Sequence, residues 1–281
     1  MMSSYTSIHE ALGNEHLKQI ISDTIAASNE LGIDFFGVGA LARNIWYVEN
    51  DRPPRGTQDV DFGVYIPTLD TYLALKSKLI KDYKYVQSEE NAFCLISPSG
   101  IPVDFLPFGE IKNQDKVLTD GKGLTNIKLD GFEEVYKKGI RTVDLGGQVI
   151  NICTIPSIVL LKLIAFDDRP EYRAKDPLDI SSIMNDFPHI ESDLLWDEYS
   201  TLYDKDISHE EIGTIVLGSE VGKLIGENET LLSRVLRIIQ DGLDLKSRLA
   251  ESMIIDGKNE TVSQKQHLLT LFKEGIENKC R

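Results

Sequence analysis

Two aspartates, Asp59 and Asp61, stand one residue apart in the run Asp59-Val60-Asp61-Phe62-Gly63-Val64-Tyr65-Ile66. The run reads as a β-strand, and successive side chains on a strand point to opposite faces. Asp59 and Asp61 then share one face, and Val60 and Phe62 the other. Two strand steps put their Cα atoms roughly 6.5 Å apart. Carboxylates held that close repel unless a cation or a proton sits between them. A pair of Mg²⁺ ions relieves the repulsion and creates a site for a triphosphate. Taken alone, an Asp-x-Asp is more often a solvated strand face, so the surrounding residues decide.

A third carboxylate lies in Ile101-Pro102-Val103-Asp104-Phe105-Leu106. Val103 and Phe105 would face the core, leaving Asp104 on the opposite face. An aspartate in an apolar strand costs free energy without a partner. A neighbouring strand carrying Asp59 and Asp61 would supply one through a shared metal, and Asp104 could also take a proton from an attacking hydroxyl. Upstream, the apolar run Ile33 to Val38 fits a short buried strand, Gly39 breaks it, and Ala40 to Trp46 favours a helix. A strand-to-helix turn on glycine and a small residue lets backbone N–H groups and the helix dipole meet phosphate oxygens, although a tight turn alone would also use that glycine. The stretch Glu49 to Gln58, with Pro53, Pro54 and Gly56, is a loop. Arg55 precedes Asp59 by four residues, within reach of a phosphate or simply solvated.

In the second half, Thr154 is a candidate helix cap, with Pro156 in the first turn. The segment Ile158 to Phe166 is apolar nearly all round and should be buried. Lys162 is its only charge. Such a lysine snorkels to the surface or takes an anionic partner, which would be the triphosphate if the helix packs against the metal site. Asp176 is placed as an N-cap, with Pro177 at the first helical position and Asp179 three residues after the cap. Helix capping therefore accounts for both aspartates.

Val38-Gly39-Ala40, Asp59-Val60-Asp61 and Val103-Asp104-Phe105 together resemble the DNA polymerase β-like nucleotidyltransferases. That family shows a glycine followed by Ser or Gly, then Asp-x-Asp, then a third carboxylate on a neighbouring strand. Ala40 stands where Ser or Gly is usual, which removes a side-chain contact and keeps the backbone N–H. The gap from Ala40 to Asp59 holds 18 residues, longer than is usual. Lys162-Leu163-Ile164-Ala165-Phe166-Asp167-Asp168-Arg169, followed by Lys175-Asp176-Pro177-Leu178-Asp179-Ile180, is similar to the AbiEii-like nucleotidyltransferase toxins of bacterial toxin–antitoxin and phage-defence systems. The resemblance covers about residues 30 to 185.

It implies an α+β fold, with a polymerase β-like nucleotidyltransferase core and mixed β-sheet over residues 1–153. A helical domain over residues 154–281 would follow and contribute Lys162 to the site. It implies transfer of an NMP from an NTP to an acceptor hydroxyl. Asp59, Asp61 and Asp104 would be catalytic and hold two Mg²⁺ ions, or Mn²⁺ in their place. Gly39, Ala40, Arg55, Lys162, Asp176 and Asp179 would bind the NTP. The implied acceptor is RNA, such as a tRNA 3′ end, and the implied partner is a cognate antitoxin protein. Two alternatives stand beside this: a small-molecule (antibiotic) nucleotidyltransferase, and an inactive member, with Ala40 a symptom, that binds nucleotide or a partner without turnover.

The elements that must position these residues follow from the chain's patterning. Its 281 residues are 41% hydrophobic, enough for one large domain or two modest ones with real cores. The pattern predicts helices over His16 to Leu31 and Leu69 to Ile80. It predicts strands over Tyr83 to Val86, Phe93 to Ile96 and Val103 to Phe108, then a polar loop or flap from Gly109 to Gly123. Gly146-Gly147 between Arg141–Leu145 and Gln148–Ile152 signals a hairpin. From Pro156 the pattern is helical, including Glu210 to Ile225, Thr230 to Ile255 and Ser263 to Ile276, with the boundary near Thr154.

No apolar stretch approaches about 18 residues, which argues against a membrane span. Met1 to Glu10 lacks a signal-peptide pattern. Cys94, Cys153 and Cys280 have no metal-ligand spacing and point to a reducing cytoplasm, and the five histidines are dispersed. The net charge of −15 opposes nonspecific nucleic-acid binding. Residues 186–230 alone hold 12 acidic and 2 basic residues, whereas residues 231–281 hold 7 and 9. A local basic set, Lys137, Lys138, Arg141, Arg169, Arg173 and Lys175, could take RNA or simply face solvent.

Overall fold

The chain divides into two compact units, Met1–Thr154 and Ile155–Arg281. The computed structural model describes residues 15–110, 117–118 and 126–279. The first unit runs α1 (Glu15–Leu31), β1 (Phe35–Gly37), α2 (Gly39–Glu49), β2 (Val60–Tyr65), α3 (Leu69–Tyr83), β3 (Val86–Gln87), β4 (Cys94–Ile96) and β5 (Pro102–Phe108). It continues with β6 (Val117–Leu118), β7 (Asn126–Ile127), α4 (Phe132–Lys138), β8 (Ile140–Asp144) and β9 (Val149–Cys153).

Among the described residues the strands form a seven-stranded sheet, ordered β3-β4-β5-β2-β1-β9-β8, and a separate β6-β7 pair. The large sheet is mixed: β2 pairs with β5 and β1 with β9 in parallel, and the other neighbours are antiparallel. Side-chain alternation sorts its central strands into two faces. Phe35, Phe62 and Phe105 pack ring against ring on one face. Phe36, Phe108, Phe132 and Tyr136 cluster on the other. Gly63 makes room for that cluster, because a Cβ there would lie 2.7 Å from the Phe36 ring. The β8–β9 hairpin turns on Gly146 (φ 74°) and Gly147 (φ 94°), the left-handed pair that a type I′ turn requires.

The second unit is helical among its described residues: α5 (Ile155–Asp168), α6 (Lys175–Ile190), α7 (Ser192–Tyr199), a 3₁₀ turn (Ser200–Asp204), α8 (His209–Ile225), α9 (Glu229–Leu243), α10 (Leu249–Ser252) and α11 (Val262–Lys279). α5 is buried almost all round. Ser208 and Glu211 close a capping box at the start of α8. α8 and α11 cross backbone to backbone: a Cβ on Gly218 would lie 2.1 Å from the Phe272 carbonyl oxygen, and one on Gly275 2.1 Å from that of Ile215. The α+β expectation therefore matches, with a mixed sheet followed by helices.

Three local expectations need correction. α3 runs on through Tyr83, so the predicted strand shrinks to Val86–Gln87. The helix expected over Thr230 to Ile255 stops at Leu243, where Leu245 takes a left-handed φ of 54°, and resumes at Leu249. Asp176 does not cap α6: the helix begins at Lys175, the cap position is Ala174, and no side chain caps it. Most of the segment 109–123 lies outside the described residues. Among the described residues, no helix is long and apolar enough to cross a membrane.

Candidate active site

β2 and β5 are adjacent parallel strands near the middle of the sheet, and their register sets Asp61 directly opposite Asp104. Paired residues on neighbouring strands point the same way, at a strand spacing of about 4.8 Å. The alternation explains why these two positions are open to chemistry. Val60, Phe62, Val103 and Phe105 are buried, while Asp61 and Asp104 are half-buried on the other face. Asp59 lies just before β2 and is exposed, and its Oδ1 accepts a hydrogen bond from Thr57 Oγ1 at 3.0 Å. The structure thus aligns two of the three carboxylates and leaves the third at the strand's entry. Among the described residues, no group of three or more His, Cys, Asp or Glu side chains is gathered closely enough to hold a metal ion. The oxygen donors Asp61 and Asp104 suit a hard divalent cation, with Asp59 two residues from Asp61 on the alternation.

The Gly39 turn abuts this pair. Val38 N donates to Asp61 O at 2.9 Å, and Gly39, with φ +54°, opens α2. A Cβ on Gly39 would fall 2.8 Å from Asp61 Oδ2. Glycine is required here twice over, for the left-handed φ and for the close approach. The first turn of α2 holds no acidic residue, and its N-cap residue Val38 makes no side-chain hydrogen bond. Helix amides and the positive end of the dipole therefore lie beside the carboxylate pair. Ala40 is the second helical residue and half-buried.

The loop carrying Arg55 is fixed by a residue that sequence reasoning missed. Asn44, buried on α2, donates Nδ2 to Arg55 O at 2.8 Å and accepts from Arg55 N at 3.1 Å. This two-bond clamp sets the Arg55 backbone four residues ahead of Asp59. An asparagine inside a helix pattern carries no sign of such a role, because its partner is eleven residues away.

Two more residues gather at Asp104 through β4. Asn91 Nδ2 reaches Asp104 Oδ1 at 3.2 Å and Oδ2 at 3.4 Å, and its own Oδ1 accepts from Phe93 N at 2.9 Å. The neighbouring Ala92 carbonyl accepts from the buried Lys76 Nζ at 2.5 Å. Cys94 pairs with Asp104 across β4 and β5. Burial first, then the Asp104 carboxylate, with a smaller push from Asp61, raises its thiol to about 12. The thiol therefore stays protonated near neutral pH, which makes it a poor nucleophile. Burial, then Asp104, also raises the Tyr72 hydroxyl.

Lys162, Asp176 and Asp179 form a cluster inside the helical unit. Lys162 Nζ lies 2.6 Å from Asp176 Oδ1 and 2.9 Å from Asp179 Oδ2. Burial works to lower the lysine's pKa, but the two carboxylates outweigh it and the net direction is upward. Of the two outcomes open to Lys162 in the sequence, the surface or an anionic partner, the helical unit supplies a partner, and it is this aspartate pair. Asp167 and Asp168 likewise bind Arg234, with Arg237 also on Asp167.

No known family profile matches the chain, and no curated protein sequence matches it. Among solved structures, an antigenic nucleotidyltransferase-like protein from Paracoccidioides brasiliensis superposes with a TM-score of 0.40 at 15% identity, covering 68% of this chain and 92% of that one. The Thermotoga maritima CCA-adding enzyme complexed with tRNA_CCA gives a TM-score of 0.23 at 11% identity, covering 94% of this chain and 80% of that one. Likenesses this distant carry no argument about activity, which rests on the residues.

Proposed function

We propose that the protein is a metal-dependent nucleotidyltransferase that moves an NMP from an NTP to an acceptor hydroxyl. The observation that carries this reading is the in-register pair Asp61–Asp104 with the amide end of α2 pressed against it. Acidic oxygens and helix amides side by side suit a ligand that is both metal-bound and anionic, which is the character of an NTP. Asp61 and Asp104, joined by Asp59, would hold the divalent ions. Mg²⁺, or Mn²⁺, supplies charge neutralisation for the triphosphate when bound.

The chain's own groups do the rest. The Gly39-Ala40 amides receive phosphate oxygens. Arg55, set by Asn44, adds a cation near the entry to β2. Asp104 takes the proton of the acceptor hydroxyl as that oxygen attacks the α-phosphorus, and pyrophosphate departs with its bonding electron pair. Asn91 holds the Asp104 carboxylate in place for that transfer. The resemblance would add Lys162, Asp176 and Asp179 as nucleotide contacts. Given the ion pairs at 2.6 and 2.9 Å, such a role requires Lys162 to exchange an aspartate for a phosphate.

The Lys162-to-Ile180 signature supports an RNA acceptor, such as a tRNA 3′ end, in a growth-arresting toxin countered by an antitoxin. Modified RNA in a lysate incubated with α-labelled NTP tests this, and labelled drug with unlabelled RNA would instead favour the antibiotic-modifying alternative. A second reading, nucleotide binding without turnover, is favoured by the outward placement of Asp59 on Thr57. Tight NTP binding with no pyrophosphate release would select it.

A further inference from the structure

The helical unit carries an aromatic platform that none of the proposed chemistry uses. Trp196 on α7 is 59% exposed. It is nonetheless held in place: its ring system stacks on Tyr203, with centroids 4.4 Å apart and planes within 2°. Tyr203 is anchored in turn, its hydroxyl 3.2 Å from His209 Nδ1, and His209 packs edge-on against His189 at 5.3 Å. An indole kept rigid and open to water is the hallmark of a contact residue, because it offers a large apolar face at little cost in conformational entropy.

The charge around it is mostly acidic, with Lys205 the one lysine or arginine between Asp193 and Glu210. Asp193 lies one turn before Trp196, Asp197 directly follows it, and Asp204 follows Tyr203. Asp206 and Glu210 come next, and all five are exposed. Other acids of this segment do pair: Glu198 and Glu220 with Lys223, and Glu211 with His267. None of the five joins an ion pair among the described residues.

We propose that this face docks an arginine-rich segment of a partner protein. A guanidinium stacks flat on an exposed indole while its N–H fork meets carboxylates, so one side chain satisfies both features of the surface. Lysine, a compact point charge, satisfies only the second. Nucleic acid is disfavoured by the net −10 of residues 186–230. A second copy would set the same acidic face against itself. This inference does not depend on the nucleotidyltransferase reading.

The test uses the full chain and dye-labelled octa-arginine and octa-lysine, with binding followed by fluorescence anisotropy at several salt concentrations. Octa-arginine should bind more tightly than octa-lysine, and Trp196→Ala should weaken octa-arginine about tenfold while barely changing octa-lysine. The double change Asp193→Asn and Asp197→Asn leaves Trp196 in place, so it reports even if Trp196→Ala misfolds. It should weaken both peptides. Equal binding of the two peptides, or octa-arginine binding unchanged in the folded variants, overturns the proposal. So does a Trp196-dependent dimer on size exclusion, or a single-stranded RNA oligomer that binds through Trp196.

Discussion

In the sheet unit, Asp61 and Asp104 stand side by side on adjacent strands, like charge next to like. In the helical unit, Asp176 and Asp179 share Lys162 at 2.6 and 2.9 Å. The second cluster sets one lysine against two carboxylates and contributes to holding α5 against α6. The first concentrates negative charge beside helix amides, an arrangement that a bound cation and phosphate would complete. Acidic clusters that look alike in sequence thus differ in their setting, a lysine shared between helices in one and the amide end of a helix in the other.

That contrast can be broken. Asp61→Asn or Asp104→Asn should cut transfer of label from α-labelled NTP by on the order of a thousandfold, with a smaller change in melting temperature than a substitution at Lys162. A clear loss of stability would put Asp61 and Asp104 in the same structural class as the helical cluster. Lys162→Met should do the opposite, leaving two carboxylates without their cation and destabilising the fold by about 3 kcal/mol in urea unfolding. The pH dependence follows the raised lysine pKa. Its contribution is fully present below the unfolded value of about 10.4 and is lost as pH climbs through the higher folded value. Wild type and Lys162→Met should therefore converge in stability as pH rises into strong alkali.

Glycines sharpen the same comparison. Gly275→Ala forces a Cβ to 2.1 Å from a backbone oxygen, where nothing flexible can give way. A loss of about 2 to 3 kcal/mol in thermal or urea unfolding is expected. Gly39→Ala meets the Asp61 carboxylate instead, at a left-handed φ. Here activity should fall by more than the roughly 1 kcal/mol of stability lost, as measured by kcat/KM against melting temperature. The smallest effect concerns Cys94. With its thiol pushed up to about 12, alkylation by iodoacetamide at pH 8 should be slow in the native protein and rapid after unfolding. Fast labelling at Cys94 in the native protein, located by peptide mapping, would mean that this thiol is not buried beside Asp104 as described.

Much of the site could be read from the chain because alternation is local. The Asp59–Ile66 and Ile101–Leu106 patterns gave the strand faces, and Gly39 gave the turn, from neighbours within a few residues. Asn91, Cys94 and Asn44 were not legible, since each acquires its role from a residue on another element. Asp176 misled for the same reason: its spacing to Pro177 and Asp179 fits a cap, but its carboxylate is bound by a half-buried lysine fourteen residues upstream.

What the sequence by itself determined was which side chains share a face, because a period of two along a strand and the lone charge in an apolar helix are set by chain geometry and burial. The tertiary structure alone decided that Asp61 meets Asp104, that Asn91 steadies it, and that Lys162 closes on two aspartates. Register and helix packing depend on the summed contacts of residues far apart in the chain, and no local spacing encodes them.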